Sequence, residues 1–329
     1  MGREGSPPRI VLAGCGRWGR LIARDLLALS ATVTVVDPSP DAGSWARSLG
    51  LTWHRSLADL ADLADLADRG GPGVDGAGDA RVDGVVVATP ASTHAAVLAE
   101  VAALDVPVFC EKPLTVDVGE AEVLVESLGD RLHVMHVWRY HPGVELLGEL
   151  ARSGALGTVH GVRTTRTNWT SPRTDVDTTW TLVPHDLTIG IEILGMLPTP
   201  RAALAEVIDG RAVSLWAHLG GADEPWLAVE ASTRVAQRRR EVRVHGSLAT
   251  ATLAGDDTPD VVVAEGADLP PRVRTIPFAP SPPLRRELAA WLAFTSGGSP
   301  PRSTGREGLT VVRAIADLRT LAGLGAETS

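Results

Sequence analysis

The glycine-rich turn at residues 14–19, GCGRWG, constrains the fold of this chain more than any other feature. It follows a short β-branched run, RIVLA, and opens a segment of helical character, so a strand, a tight turn and a helix are expected in that order. Glycines at this spacing allow a close backbone approach. The helix N-terminus then presents amide hydrogens and the positive end of its dipole to a phosphate group. The turn therefore predicts a parallel sheet that binds a dinucleotide.

Asp37 ends the next apolar run, TVTVVD. An acid at the end of the second strand accepts hydrogen bonds from an adenosine ribose diol and repels a 2′-phosphate. The alternative is an ordinary glycine turn followed by a strand-end aspartate without a ligand. The pattern predicts NAD as cofactor, with NADP possible because a nearby arginine can offset Asp37.

Two further apolar runs, at residues 83–90 and 106–113, alternate with helical segments, and this alternation is typical of an α/β fold. We predict a Rossmann dinucleotide-binding domain over residues 1–140. An α/β domain with an open, mainly antiparallel sheet is predicted over residues 141–329. The low-complexity stretch at residues 57–81 is interpreted as a surface helix and an expanded loop.

Length and charge limit the function further. The chain has 329 residues, enough for two domains, and a formal net charge of -9, which argues against a nucleic-acid surface. Arg238–Arg240 are expected at a solvated strand edge. No apolar run approaches twenty residues and no signal-like N-terminal segment is present, so a cytoplasmic protein without a membrane partner is expected. Cys15 and Cys110 give neither a disulfide framework nor a metal-ligand spacing.

Lys112, Tyr140 and Asn168 are each the only residue of their type in the chain. In a composition poor in Lys, Tyr and Asn, a single residue has more chance of persisting where its chemistry cannot be replaced. Lys112 and Tyr140 follow predicted strands, at the edge of the sheet where ligands bind. Hydride transfer from a carbinol carbon needs a group that takes the hydroxyl proton, and lysine can do this if its reference pKa of about 10.4 falls.

The motifs GCGRWG, VVVATPASTH, CEKP, WRYHP and PHDL, in this order, resemble the glucose-fructose oxidoreductase, inositol dehydrogenase and MocA-like family. The resemblance implies a Rossmann domain, a second domain whose open sheet forms homodimer or homotetramer contacts, and a cis proline after Lys112. It also implies that Lys112 and His185 are catalytic. The cofactor-binding residues expected from the motifs and the resemblance are Gly14, Cys15, Gly16, Arg17, Trp18, Gly19, Asp37, Thr89, Pro90, His94, Glu111, Lys112 and Arg139.

One position departs from the family pattern. The family commonly has an aspartate four residues before the active-site histidine, whereas this chain has Thr181 there. The loop before His185 resembles a branch acting on nucleotide-linked or otherwise decorated sugars, which implies substrate-binding roles for Tyr140, Arg166, Asn168, Asp177, Trp180 and Thr181. Tyr140 can equally pack as a strand cap, and Asp186 can equally serve the first turn of its helix.

The sequence therefore predicts an oxidoreductase that interconverts a secondary alcohol and a ketone on a sugar, nucleotide sugar or aminocyclitol-type ring. Lys112 is the expected proton donor or acceptor, and His185 is expected to orient the same oxygen or share the proton. Reduction of an imine or enone in the same cleft is one alternative. A dinucleotide-sensing regulator without turnover is another. No metal site is expected.

Overall fold

The computed structural model describes residues 7–59, 82–169, 175–266 and 270–325. The chain divides into two compact units. The first contains Met1–Thr115, Gly119–Met135 and Leu284–Gly308, and the second contains Val116–Val118, His136–Pro283 and Leu309–Ser329. Among the helices in these described ranges, none combines the length and hydropathy needed to cross a membrane.

The first unit contains a parallel sheet in which the described strands follow the order β3-β2-β1-β4-β5-β6. Its strands are β1 (Arg9–Ala13), β2 (Thr32–Val36), β3 (Thr52–His54), β4 (Gly84–Val87), β5 (Val108–Glu111) and β6 (Leu132–Met135). Its helices are α1 (Arg17–Ala28), α2 (Pro40–Ser48), α3 (His94–Val101) and α4 (Val118–Leu128), with α8 (Pro283–Thr295) from much later in the chain. Strands β4, β5 and β6 are buried along their whole length, as expected for a parallel sheet covered on both faces.

Helix α8 completes the core of the first unit. Trp291 is fully buried, and its ring stacks on Phe109 of β5 with ring centroids 5.5 Å apart. Gly84 makes this possible, because a Cβ at that position would lie 2.7 Å from the Trp291 ring. The predicted single boundary near residue 140 does not describe this arrangement. The amphipathic segment at residues 284–308 buries its apolar face in the first unit, although its sequence follows the whole second sheet.

The second unit contains a sheet in which the described strands follow the order β14-β13-β12-β11-β7-β10-β9-β8. Pairing is antiparallel except between β7 and β10, so the sheet is mainly antiparallel, as predicted. The strands are β7 (Val159–Thr167), β8 (Pro200–Ile208), β9 (Arg211–Gly221), β10 (Glu224–Ser232), β11 (Arg239–Gly246), β12 (Ala249–Leu253), β13 (Asp260–Glu265) and β14 (Arg272–Pro277). The helices are α5 (Pro142–Arg152), α6 (Thr178–Thr181) and α7 (Val183–Leu194), with α9 (Gly305–Leu321) shared between the two units.

Helices α5 and α7 pack closely on one face of this sheet. A Cβ at Gly143 of α5 would lie 2.7 Å from Leu253 of β12, and a Cβ at Gly190 of α7 would lie 2.7 Å from Leu227 of β10. Leu227 and Leu253 are fully buried beneath the helices. The opposite face carries exposed side chains, which is the one-sided burial typical of an antiparallel sheet.

One predicted stretch differs from the structure, and another lies largely outside the described residues. The predicted strand before Tyr140 ends at Met135, and Val137–Tyr140 form a 3₁₀ turn. The expected surface helix and loop at residues 57–81 fall largely on residues 60–81, which lie outside the described residues.

Candidate active site

The turn between β1 and α1 is as tight as its glycines predict. Gly14 has φ = 94°, and a Cβ there would lie 2.6 Å from the backbone nitrogen of Thr89. Gly19 lets α1 approach the turn, because a Cβ at that position would lie 2.1 Å from the carbonyl oxygen of Gly14. Gly16 differs from both, since a Cβ there would meet nothing within 4 Å. The backbone at Gly16 therefore borders open space.

That open space lies at the N-terminus of α1. Gly16 is the N-cap residue and no side chain caps the helix, while Arg17 and Trp18 are exposed in the first turn. The first amides of a helix have no partners within it, and they carry the positive end of the helix dipole. The open space and this donor set fit the pyrophosphate of a dinucleotide.

Asp37 is held rigidly at the end of β2. Its Oδ2 accepts a hydrogen bond of 2.7 Å from the Cys15 amide, and its Oδ1 accepts one of 2.8 Å from the Ser39 amide. The Asp37 carbonyl oxygen also accepts a bond of 3.0 Å from the Trp53 indole. A carboxylate oxygen has more than one acceptor position, so each oxygen keeps capacity for a hydroxyl donor. The arrangement fits a ribose diol.

Lys112 follows β5, at the same edge of the sheet as the glycine turn. Its side chain is buried, with 9% of the residue exposed, and the Lys112–Pro113 peptide bond is cis, as the resemblance implied. Glu111 Oε2 accepts a hydrogen bond of 3.1 Å from the Lys112 amide, and Oε1 accepts one from the Trp18 indole. Through Glu111, the first turn of α1 is connected to the backbone of the lysine.

Thr89 and Pro90 follow β4 between these two segments. The Thr89 hydroxyl oxygen is buried, and no hydrogen-bond partner is present for it in the part of the chain that the structure describes. A buried hydroxyl without a partner is costly, so a cofactor that bonded to it would relieve this cost.

His94 differs from the expectation of a cofactor contact. It is fully buried, and its ring nitrogens lie 2.8 Å from the Pro113 carbonyl oxygen and 3.0 Å from that of Thr89. The ring links the segment after β4 to the segment after β5. Because no surface of His94 is exposed, its position supports the backbone around Lys112 and offers nothing for a cofactor to touch.

His185 lies in the second unit, near the start of α7. From Thr181 to Gly190 it is the one residue that is partly exposed, while its neighbours are buried. Thr181 donates a hydrogen bond of 2.8 Å from its hydroxyl to the Asp177 carbonyl oxygen. The hydroxyl proton of Thr181 is therefore used on the backbone, and the residue supplies no charge where the family commonly has an acid.

Asp177 and Trp180, which were expected to contact substrate, are buried within this unit. Asp177 caps α6, and its Oδ2 accepts a hydrogen bond of 2.6 Å from Arg319 Nη1. Arg319 Nη1 also donates to the Thr179 hydroxyl at 2.7 Å, and the guanidinium lies 5.9 Å from the centre of the Trp180 ring. Trp180 is 1% exposed. The structure gives these residues a supporting position under the turn that precedes His185.

Arg166 and Asp186 form a second buried ion pair beside His185. Arg166 Nε lies 3.2 Å from both carboxylate oxygens of Asp186, and its guanidinium stacks on the Trp138 ring at 4.2 Å. Burial raises the pKa of Asp186 although Arg166 lies against it. Asn168 lies further along the same segment, where its Oδ1 accepts a hydrogen bond of 2.8 Å from Arg240. The structure thus brings Arg166 and Asn168 into one polar cluster, as two of the expected substrate contacts.

Arg139 and Tyr140 lie on the 3₁₀ turn after β6. The Arg139 guanidinium is buried and paired with Glu192 of α7, with 3.0 Å between Nε and Oε2. Arg139 was expected near the cofactor, but its charge is already balanced inside the second unit. Tyr140 is 5% exposed, which agrees with the alternative that its ring packs.

Comparison with known proteins agrees with the geometry of the first unit. The family described as "Oxidoreductase family, NAD-binding Rossmann fold" (GFO_IDH_MocA) matches residues 8–138. The match covers less than half of the chain and identifies its N-terminal part as an NAD-binding Rossmann fold. A UDP-N-acetylglucosamine 3-dehydrogenase of Acidithiobacillus ferrooxidans is 34% identical over 162 residues, which cover 47% of each protein. The chain spans about half the length of the curated relatives it matches.

Solved structures of two dehydrogenases share the fold over nearly the whole chain. The A. ferrooxidans dehydrogenase aligns with a TM-score of 0.81 at 23% identity, covering 97% of this chain and 99% of that one. A levoglucosan dehydrogenase in complex with NADH and levoglucosan aligns with a TM-score of 0.81 at 17% identity, covering 97% of this chain and 98% of that one. At these identities the likeness concerns the fold alone.

Two arginines of the second unit were missed by the sequence analysis. Arg240 was grouped with its neighbours as a solvated strand edge, but Val242 and Val244 on the same strand are buried. Residues two apart on a strand share a face, so this alternation would have placed Arg240 on the buried face. Arg319 carries no comparable signal, because its partner lies 142 residues away in the sequence.

Proposed function

We propose that the protein is an NAD-dependent oxidoreductase that interconverts a secondary alcohol and a ketone on a sugar-type ring. The observation that carries the proposal is the convergence of the glycine turn, Asp37 and Lys112 at the carboxyl ends of β1, β2 and β5 of one parallel sheet. In such sheets the ligand binds at this edge. The match of residues 8–138 to an NAD-binding oxidoreductase family, and the dehydrogenases named among the relatives, support the same proposal.

The nicotinamide ring, when bound, supplies the hydride acceptor for oxidation and the hydride donor for reduction. In our proposal the amides of the first turn of α1 bind the pyrophosphate and Asp37 binds the ribose diol. Because the carboxylate of Asp37 would repel a 2′-phosphate, NAD is the preferred cofactor over NADP.

Lys112 is proposed to move the proton. In the oxidation direction its neutral Nζ accepts the proton of the carbinol hydroxyl as the hydride leaves the carbon, and in reduction its ammonium returns that proton to the carbonyl oxygen. The Glu111 carboxylate accepts hydrogen bonds from the Lys112 amide and from the Trp18 indole, and these bonds hold the backbone that carries the amine.

His185 is proposed to orient the same substrate oxygen and to carry less of the proton than Lys112. An aspartate at position 181 would favour the imidazolium through its opposite charge, whereas the Thr181 hydroxyl donates to the backbone. Thr181→Asp should therefore move the pH–rate profile to higher pH and make activity more dependent on His185. An unchanged profile would mean that another group already serves the histidine.

The direct test is a turnover assay with NAD⁺ and a panel of polyols, hexoses, aminocyclitols and nucleotide sugars, read as the absorbance of the reduced nicotinamide. Turnover that appears in the wild type and is lost in Lys112→Met, with NAD⁺ binding retained, is the expected result. NAD⁺ binding without turnover on any member would favour the sensing regulator instead.

We also propose that the protein acts as a homodimer or homotetramer in the cytoplasm. On the open face of the second sheet, Leu204 of β8 lies opposite Trp216 of β9. The two residues are 66% and 42% exposed. These side chains lie in an apolar hollow of about 420 Å³, a surface that a second copy would remove from water. Light scattering of the wild type and of Leu204→Glu tests this, because the charged variant should dissociate.

A further inference from the structure

Arg166 and Arg240 stand opposite each other on neighbouring antiparallel strands, β7 and β11. Directly opposed residues on paired strands point to the same face of the sheet, so the two guanidiniums share one environment. Like charges in this position destabilise a sheet unless an anion lies between them. If the cluster of Arg166, Arg240, Asp186 and Asn168 contains fewer anions than cations, it can bind a further anion.

Of the two arginines, Arg166 forms a close ion pair within the described residues. Both oxygens of Asp186 lie 3.2 Å from Arg166 Nε. Arg240 donates instead to neutral oxygens, at 2.8 Å to the Thr167 carbonyl and 2.8 Å to Asn168 Oδ1. Within the described residues no carboxylate forms an ion pair with Arg240. The cluster therefore holds two cations and one anion, and protonation of Asp186 would leave it more positive still.

The nearest acids on neighbouring segments are already paired. Asp256 accepts a hydrogen bond of 2.7 Å from Arg238, and Glu241 lies 3.0 Å from Arg243. Asp256 and Asp186 act on Arg240 through their charges, but neither forms a close ion pair with it in the described part of the chain. Burial, together with the charges of Arg166 and Arg238, outweighs them and lowers the pKa of Arg240 to about 10.

Arg240 is also accessible. It is half-buried and lies in the wall of a polar hollow of about 490 Å³, formed by residues 237–241 and 254–258. The hollow, Arg166 and Asn168 all belong to the second unit, which also contains His185. Arg240 has five N–H donors and uses three of them on Thr167, Arg239 and Asn168, so an anionic group entering this hollow would receive the remaining donors and would reduce the positive charge of the cluster.

We propose that Arg240, supported by Asn168, binds an anionic group of the substrate, a phosphate or a carboxylate carried by the sugar. This proposal rests on the proposed function and names its substrate class. It favours a phosphorylated, nucleotide-linked or acidic sugar over an amino sugar, because Asp177 and Asp186, the acids that would attract an amine, are neutralised by Arg319 and Arg166.

The test is calorimetric titration of the protein with NAD⁺ present, using four probes: UDP-N-acetylglucosamine, glucuronate, glucosamine and myo-inositol. The wild type should bind one of the two anionic probes more tightly than the cationic and neutral ones, and which of the two wins distinguishes phosphate from carboxylate. Arg240→Met should weaken that probe by roughly 10- to 100-fold, as loss of a hydrogen bond to a charged group does. Arg240→Lys should restore part of the loss.

Arg243→Met is the matched control, because it removes the same charge from the same strand on the opposite face. It should leave anion binding unchanged. Because Arg240→Met also removes the hydrogen bonds to Thr167 and Asn168, thermal unfolding without ligand is compared with that of Arg243→Met to show that both variants are folded at the temperature of the titration.

Two results would overturn the proposal. One is equal binding of the anionic, neutral and cationic probes by the wild type. The other is equal weakening of the anionic probe by Arg240→Met and Arg243→Met. Failure of hydride transfer with every probe is a separate outcome, since the calorimetric binding does not depend on turnover. That result would refute the proposed function while leaving the anion site in place.

Discussion

The ion pair between Asp177 and Arg319 should carry an unusually large share of the stability of the second unit. The two charged atoms lie 2.6 Å apart, and the side chains are 4% and 9% exposed. Removing one partner of a buried pair leaves the other charge buried and unbalanced, which costs about 3–5 kcal/mol. We therefore expect Arg319→Met to lower the free energy of unfolding by about 3–5 kcal/mol.

Urea unfolding of three variants measures this effect. Asp177→Asn removes the charge but keeps an oxygen that can cap α6, so its cost isolates the ion pair from the helix cap. In the double variant neither charge remains, and its cost should fall short of the sum of the single costs by at least about 1 kcal/mol. The control is Arg274→Met, since the pair of Arg274 with Glu265 is 39% and 34% exposed and is expected to contribute about 0–1 kcal/mol. The reasoning is refuted if Arg319→Met costs no more than Arg274→Met, or if the two single costs simply add.

Three further predictions concern the first unit and the catalytic groups. Asp37→Ser should narrow the preference in kcat/KM for NAD over NADP, and a wild type that prefers NADP would contradict the role of the carboxylate. Lys112→Met should lower kcat by a factor of about 10² to 10⁴ with little change in NAD⁺ affinity, and His185→Ala should cost less; the reverse order would exchange their roles. Burial raises the pKa of the Cys15 thiol and raises that of Cys110 well above its ordinary value, so both thiols stay protonated at neutral pH. Iodoacetamide should therefore label neither cysteine until urea unfolds the protein, as mass spectrometry of the native and unfolded protein can show.

The sheet of the first unit was predictable because its signals are local. The turn at residues 14–19, Asp37 and Lys112 each follow a short apolar strand, and parallel strands bring their carboxyl ends to one edge whatever the loops contain. The order of strands and helices was therefore enough to predict which edge of the sheet binds the ligand.

The second unit was less predictable because its site depends on pairing across long sequence distances. Asp177 reads as a loop acid that could meet substrate, and only the packing of α9 reveals that Arg319 neutralises it. His94 sits at the start of its helix like a cofactor contact, and only the fold of the segment around Pro113 shows that its ring is enclosed. Neither partner lies near enough in sequence to leave a local pattern.

The stacking of Trp291 on Phe109 bears on how this chain is made in the cell. When residues 1–135 have emerged from the ribosome, every described strand of the first sheet has been synthesised. The helix that fills the core of this unit, α8, has not. At ordinary elongation rates that helix emerges on the order of ten seconds later, after the whole second sheet. During this interval the nascent chain exposes the apolar surface around Phe109 that Trp291 will later cover. A gene cut at residue 140 would make that exposure permanent, so the isolated nucleotide-binding half should bind chaperones or aggregate unless residues 284–308 are supplied with it.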